Sequence, residues 1–183
     1  RVDAHARIGE HDGVLHPPRV FDRFAHVFAR VAVAAQDQEV GVVDALVQRE
    51  PACPLDVAER ETLAVEQIVK MIKEMGLEER TEYITFSRHA TKEFIRLAPK
   101  GTPVYYLEGD LNPQELKDMG CAGPDYHFSV FKKHPEWIKE CHDLGMKVNA
   151  WTVNDAKDME WLISQGVDFI TTNEPVLLQE ILE

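Results

Sequence analysis

The segment KVNAWTVNDAKDMEWLISQGVDFITTNEP, residues 147–175, decides the fold because it contains a complete strand–helix–strand unit. Apolar runs predict strands over 146–153 and 167–172, and a helix over 154–166 ends at Gly166. Parallel neighbouring strands need a crossover helix of this kind. Each strand runs into polar residues, WTVN at 151–154 and TTNEP at 171–175. The segment therefore predicts a βαβ unit that brings two polar strand ends to the same edge of a sheet.

The same order of elements recurs upstream, where a helix, a glycine and a strand follow one another. We predict helices over 62–76, 91–101, 112–120, 134–145, 154–166 and 174–183, strands over 82–87, 102–109, 146–153 and 167–172, and a short extended segment over 124–130. The strands are apolar nearly throughout, as strands covered on both faces should be. Residues 61–183 are therefore predicted to form an α/β fold with a parallel sheet.

Candidate functional residues follow the carboxyl ends of these strands, where parallel sheets bind ligands. His89 is a candidate acid–base group or ligand, and equally the polar first part of a helix. Glu108 and Asp110 are candidate cation ligands, although two loop carboxylates are more often simply solvated. Trp151 is either a pocket wall or a core residue. Asn154 or Asp155 opens the helix over 154–166, and Asn154 most resembles a helix cap.

Composition limits the classes of function. The formal charge of −12 argues against a nucleic-acid-binding protein, since such proteins usually carry a basic face, but it leaves room for an anionic substrate bound with a metal ion. Cys53, Cys121 and Cys141 show neither a disulfide nor a zinc pattern and are interpreted as thiols of a reducing compartment. With no signal peptide or membrane-spanning run visible, a cytoplasmic location is favoured. The chain begins at Arg1 and its first methionine is Met71, which indicates a fragment, a processed chain or an incomplete sequence.

Residues 1–60 differ from the rest in composition. They hold seven Arg, no Lys and ten acidic residues, whereas residues 61–183 hold three Arg, ten Lys and twenty-two acidic residues. The spacing of apolar residues over 21–36 predicts a helix, and 38–51 reads as a strand or a short helix. We leave 1–60 unassigned, as a separate domain, a segment of foreign origin or a misread frame, and 61–183 as the readable domain.

The end of the chain resembles the glycerophosphodiester phosphodiesterase family. That family ends in an apolar strand leading into W-T-V-N, a helix, and then G-V-D-x-I-x-T-x-x-P; the pieces here are VNAWTVND, residues 148–155, and GVDFITTNEP, residues 166–175. The similarity extends back through the helix end HDLG (142–145), YYL (105–107) and YITFS (83–87). It covers residues 61–183, about two thirds of the chain.

The resemblance implies a TIM-like (β/α)8 barrel that hydrolyses glycerophosphodiesters to glycerol 3-phosphate and an alcohol, with a divalent cation, Ca²⁺ or Mg²⁺, and a pair of histidines. Residues 61–183 correspond to about the last four strands, roughly half of a barrel of ~250 residues. The family's H-R-G, P-E-N, E-x-D strand and E-x-K strand are not found in this sequence. His11-Asp12 resembles the family's histidine motifs only weakly. No catalytic residue and no metal ligand therefore carries over. Trp151, Phe86 and His89 remain as predicted substrate-binding residues.

Three hypotheses follow from these observations. The first is a part of a phosphodiesterase that is inactive alone and takes a small phosphodiester substrate. The second is a non-catalytic binding or regulatory module in which residues 1–60 form an extra domain or complete a sheet edge. The third is a different α/β enzyme that uses His89 with Glu108 or Asp110. A half-barrel also exposes two strand edges, which predicts self-association.

Overall fold

The computed structural model describes the backbone of residues 3–6, 27–31 and 42–44 and the whole of residues 56–183. Eight strands form one sheet in the order β1-β8-β7-β6-β5-β4-β2-β3. They are β1 (Asp3–Ala6), β2 (Val27–Val31), β3 (Val42–Asp44), β4 (Thr81–Thr85), β5 (Val104–Tyr106), β6 (Gly123–His127), β7 (Asn149–Trp151) and β8 (Phe169–Thr172). The five strands β4 to β8 are parallel and curl into half of a barrel, which confirms the predicted fold class.

Seven helices lie within the described residues and connect these strands. They are α1 (Val57–Glu74), α2 (Arg88–Leu97), α3 (Pro113–Met119), α4 (Phe128–Lys133), α5 (Glu136–Asp143), α6 (Ala156–Gln165) and α7 (Pro175–Leu182). Local sequence fixes several of their ends. Asn112 caps α3 in a reciprocal box with Glu115, Pro113 opens the helix, and Gly120 ends it in the left-handed conformation. None of these helices is long and apolar enough to cross a membrane.

Both edges of the five-stranded half-barrel are paired with strands from the first sixty residues. β1 pairs in parallel with β8, and β2 pairs in antiparallel fashion with β4 and with β3. Residues 27–31 were predicted to be helical from the spacing of their apolar residues, and that prediction was wrong for this stretch. Val27 and Val31 are β-branched and Phe28 is aromatic, residue types that favour strands, and the edge of β4 supplies the pairing partner. The rest of the segment 21–36 lies outside the described residues.

Alternation along the strands separates the two faces of the sheet. Tyr83 of β4 stacks on Phe94 of α2 at 4.3 Å between ring centroids, on the face covered by helices. Its neighbour Ile84 packs in a separate small cluster with Tyr105 and Leu107, which lies inside the half-barrel. On β6, Tyr126 belongs to the large helix-side core. Asp125 and His127 on either side of Tyr126 therefore lie on the inner face of the half-barrel.

Several strands are shorter than predicted, and the early end of β6 has the largest consequence for the site. The segment 124–130 was expected to be extended throughout, but β6 ends at His127 and α4 begins at Phe128. As the fifth parallel strand, β6 also raises the count above the four that were expected. The early end of the strand places His127 at its carboxyl terminus, where the ligands of parallel sheets bind.

Candidate functional site

Three aromatic side chains meet at the carboxyl end of the half-barrel, and we call them the aromatic corner: Phe86, His127 and Trp151. Phe86 follows β4, His127 ends β6 and Trp151 ends β7. The rings of Phe86 and His127 each stand edge-on to Trp151, with centroids 5.8 and 5.4 Å away and interplanar angles of 86° and 85°. These are ordinary distances for attractive aromatic pairs. The corner therefore holds Trp151 between two side chains that are distant in sequence.

The indole of Trp151 is also fixed by a hydrogen bond. Its Nε1–H donates to the backbone carbonyl of Asp125 at 2.7 Å. The side chain is only partly buried, so that one part of the ring lies open at the rim. Both expected roles of Trp151 are thus compatible with its position, because its edge is packed and its remaining surface is accessible.

A buried polar group supports the strand positions below Trp151. Asn149 Nδ2 donates to Asp125 Oδ1 at 2.7 Å and to Thr171 Oγ1 at 3.2 Å. Asn149 is 1% exposed and Asp125 is 3% exposed, so both lie out of water. Asn149 Oδ1 is buried and accepts no hydrogen bond from the described residues. Buried acceptors of this kind usually have a donor, so the inner face here is polar and able to take one.

The imidazole of His127 is held by the first turn of α4. Its Nδ1 lies 2.8 Å from Ser129 Oγ and 3.3 Å from the backbone nitrogen of Ser129. A backbone N–H can only donate, so Nδ1 is the acceptor and the proton of the neutral ring is on Nε2. Partial burial lowers the pKa of His127 below its usual value, which favours this neutral form.

The ends of β7 and β8 are tied to each other. Asn154 Oδ1 accepts from the backbone N–H of Asn173 at 2.9 Å and from the hydroxyl of Thr172 at 3.3 Å. The helix α6 is capped by Asp155, which accepts from the backbone N–H of Lys157. The expectation that Asn154 caps this helix was therefore wrong, because its side chain crosses to the neighbouring loop. Asn154 instead fixes the spacing of two strand ends.

The rim at β4 and β5 is occupied by a polar network. Arg88 donates to Asp110 Oδ2 at 2.7 Å, and the hydroxyl of Tyr106 donates to Asp110 Oδ1 at 2.9 Å. Burial, followed by the link to Asp110, raises the pKa of Tyr106 to about 12, although the nearby Arg88 opposes this shift. Both carboxylate oxygens of Asp110 are therefore engaged. Glu108 beside it is exposed.

His89 lies near the start of α2, one of the two positions expected for it. Its Nε2 is 2.8 Å from the hydroxyl of Thr62 on α1. Ser87 caps α2 by accepting from the backbone N–H of Ala90. The structure therefore joins Phe86 to Trp151 but turns His89 towards a neighbouring helix. Substrate binding by His89 remains a prediction.

Residues 56–183 provide no group of three or more His, Cys, Asp or Glu side chains that is able to hold a metal ion. The strand ends bring together aromatic and amide side chains. Two carboxyl side chains lie near them: Asp125, which accepts from Asn149, and Asp110, whose two oxygens are both engaged.

Comparison with known proteins decides the family. The model of the glycerophosphoryl diester phosphodiesterase family matches residues 20–177, which is most of the chain. The chain belongs to this family. The match begins well before residue 61, where the resemblance seen in the sequence began. The division at residue 60 remains a prediction.

Relatives in this family share both sequence and fold with the chain. It is 31% identical over 114 residues to the glycerophosphodiester phosphodiesterase of Caldanaerobacter subterraneus subsp. tengcongensis, covering 62% of this chain and 46% of that protein. The crystal structure of a glycerophosphodiester phosphodiesterase from Parabacteroides distasonis is similar with a TM-score of 0.68 and 52% identity, over 70% of this chain and 53% of that one. A putative glycerophosphoryl diester phosphodiesterase from Silicibacter pomeroyi follows with a TM-score of 0.61 and 30% identity, over 68% and 44%. The chain therefore spans about half the length of these relatives.

His127 is the residue of the aromatic corner that the sequence did not reveal. The residue types of 124–130 indicated only an extended segment, and an extended segment ending at 130 places His127 in its interior. The available signal was the alternation Asp125, Tyr126, His127, in which polar residues flank a large buried ring.

Proposed function

We propose that this chain provides the substrate-lining half of a phosphodiesterase barrel that hydrolyses glycerophosphodiesters to glycerol 3-phosphate and an alcohol. The observation that carries the proposal is the aromatic corner at the carboxyl-end rim of a half-barrel that belongs to this family. Trp151 and Phe86 are proposed to line the pocket. The chain alone is proposed to bind without catalysing hydrolysis.

The chemistry of the corner suits part of such a substrate. Aromatic faces pack against the C–H groups of a glycerol backbone, and the neutral His127 and the amide of Asn149 add no charge to the rim. A phosphoryl group needs positive charge or strong donors. The described rim offers Arg88, and that side chain is paired with Asp110.

Members of the family generally depend on a metal ion, and the described residues do not fit one. We therefore derive no catalytic step through a cation. Ca²⁺ or Mg²⁺ belongs in the assay because the family resemblance implies a divalent cation.

The test is release of glycerol 3-phosphate from glycerophosphocholine, with Ca²⁺ or Mg²⁺ and with a chelator control. Two proteins are compared: the 183-residue chain, and a chimera that joins its residues 56–183 to the part of the Parabacteroides distasonis protein that this chain does not cover. We expect no turnover from the chain and metal-dependent turnover from the chimera. Trp151→Ala in the chimera should raise KM more than it lowers kcat, while Trp137→Phe, on α5, should leave both near the parent values.

Two results would contradict the proposal. Metal-dependent turnover by the 183-residue chain itself shows that it holds its own catalytic groups. A folded chimera that binds glycerol 3-phosphate and hydrolyses nothing removes the phosphodiesterase assignment.

The second candidate is a binding or regulatory module that does no chemistry. The pairing of β1 with β8 and of β2 with β4 favours it, because these strands complete both edges of the half-barrel within one chain. The folded but inactive chimera is the result that would support it.

A further inference from the structure

His127 has the geometry of a ligand donor and not only of a helix cap. It ends β6 on the inner face of the half-barrel, directly opposite Trp151 in the strand register. Its ring stands at 85° to the indole with 5.4 Å between centroids. The side chain as a whole is exposed, although one face packs on Phe128 at 4.6 Å. An imidazole edge is thus presented at the rim beside the accessible part of Trp151.

The two ring nitrogens have different roles. Nδ1 accepts from Ser129, which leaves Nε2 with the proton. The side-chain hydrogen bonds of His127 to residues 56–183 both use Nδ1. The ring is thereby fixed in one tautomer and one orientation, so that Nε2–H is a preorganised donor. Preorganised donors lose little entropy when they bind a ligand.

We propose that His127 is a substrate-contacting residue whose Nε2–H donates a hydrogen bond to a hydroxyl of the glycerol moiety while the carbon chain of that moiety packs on Trp151. This inference deepens the proposed function and rests on it. The glycerol moiety is chosen because an aromatic face and a neutral donor lie side by side, which suits a polyol with both C–H groups and hydroxyls. A phosphoryl oxygen would be better matched by a cationic group.

Capping of α4 needs an acceptor at position 127, whereas the proposed ligand contact needs a donor. Substitutions can therefore separate the two roles of His127. Asparagine is a strong helix cap, so His127→Asn keeps an acceptor for the N–H of Ser129 but removes Nε2–H. His127→Ala removes both. Ser129→Ala leaves the backbone N–H that fixes the tautomer and serves as the matched control.

The experiment titrates the 183-residue chain and these three variants with sn-glycerol 3-phosphate, with glycerol and inorganic phosphate as separate probes. Affinity is measured by calorimetry, and the ring nitrogens of His127 are followed by ¹⁵N NMR in the wild-type protein, which needs no variant. Amide spectra report whether each variant is folded. We expect glycerol 3-phosphate to shift the Nε2 signal, both His127 variants to bind about five- to tenfold more weakly, and Ser129→Ala to bind within about twofold of wild type.

Three results overturn the inference. If His127→Asn binds as wild type does while His127→Ala binds more weakly, His127 is a cap alone, and the proposed function stands. If inorganic phosphate reproduces the whole Nε2 shift, the glycerol contact is wrong, and again the proposed function stands. If the wild-type chain does not bind glycerol 3-phosphate, both this inference and the proposed binding role fail.

Discussion

Among the three tryptophans, Trp151 is the one whose indole N–H is committed to a neighbouring strand. We predict that Trp151→Phe lowers the free energy of unfolding by about 1 kcal/mol, because the hydrogen bond from the indole to the Asp125 carbonyl is removed while the aromatic contacts are largely kept. Urea denaturation measures the change. Trp137→Phe is the control, since Trp137 stacks on His134 at 4.4 Å on the surface of α5. Equal stability of the two variants would show that the Asp125 bond contributes little.

Substitution of Asn149 tests how much the buried hydrogen bonds on the inner face contribute to stability. We predict that Asn149→Ala lowers the free energy of unfolding by about 1–3 kcal/mol, because a buried hydrogen bond to Asp125 is removed where water is excluded. Asn173→Ala should change stability by less than about 0.5 kcal/mol, since that residue is exposed. Both changes are read from urea melts at one pH. A near-neutral Asn149→Ala would mean that Asp125 is satisfied by its other contacts.

Residues at the carboxyl ends of strands could be located from the sequence where the end of an apolar run marks them, while their role in substrate binding stays a prediction. Trp151 and Phe86 end apolar runs, and the structure places them in contact. The prediction for Asn154 failed because the same side-chain amide can cap a helix or accept a hydrogen bond from a neighbouring loop. Only the position of the loop at Asn173 shows that it does the latter. His127 was missed because the end of β6 is set by pairing with β7, a long-range contact that residue spacing does not record.

Helices and strands show the same contrast between features set by local sequence, which could be predicted, and features set by long-range pairing, which could not. The helix ends at Gly76, Gly145 and Gly166 were predicted near their observed places because the stop signal is local. The end predicted at Gly101 was wrong, since α2 already ends at Leu97, two residues before Pro99. Residues 27–31 were predicted as helix since their strand character depends on the edge of β4. Four of the five parallel strands could be predicted from the alternation of helices and strands. The segment of β6 was predicted only as extended, and the antiparallel addition of β2 was not predicted.

Gly123 lies where two segments of backbone approach closely. A Cβ on this first residue of β6 would lie 1.8 Å from the backbone carbonyl oxygen of Lys147, in the connection that leads into β7. We expect Gly123→Ala to destabilise the protein by more than about 3 kcal/mol, because backbone rather than a flexible side chain must move. Thermal or urea unfolding measures it.

Gly145 is the matched control for that experiment. It also has a positive φ, of 74°, but a Cβ there would meet nothing within 4 Å. Gly145→Ala should therefore cost about 1–2 kcal/mol, from the left-handed conformation alone. If both variants lose the same stability, the close approach at Gly123 relaxes at little cost.

At the scale of the whole molecule, the labelling rate of two buried thiols measures how readily the core opens. Cys121 and Cys141 are free and buried, and burial raises the pKa of each thiol to about 12. The thiolate is the reactive form, so at pH 8 both should react with a disulfide reagent only when the protein opens. In a Cys53→Ser background, we expect labelling to accelerate with urea in parallel with global unfolding. Rapid labelling of either thiol in native buffer would contradict this picture.

The pairing of the sheet edges determines whether the chain self-associates in solution. Within the described strands, β8 is paired with β1 and β4 with β2, so the half-barrel proper leaves neither of its edges free. Removing residues 1–55 exposes both edges, and unpaired strand edges pair with other chains. We therefore predict that residues 56–183 self-associate at a concentration where the 183-residue chain sediments as a smaller species.

Sedimentation velocity on both chains at matched concentrations provides the comparison. A variant of residues 56–183 with Glu82→Pro is a useful control. The backbone groups of Tyr83 and Thr85 face β5, so that of Glu82 faces the newly exposed edge, and proline there removes a donor and weakens edge pairing. Association that falls with this substitution assigns it to the edge of β4. A truncated chain that stays monomeric and folded would instead show that the first fifty-five residues do not protect the sheet, and this would support treating them as a separate segment.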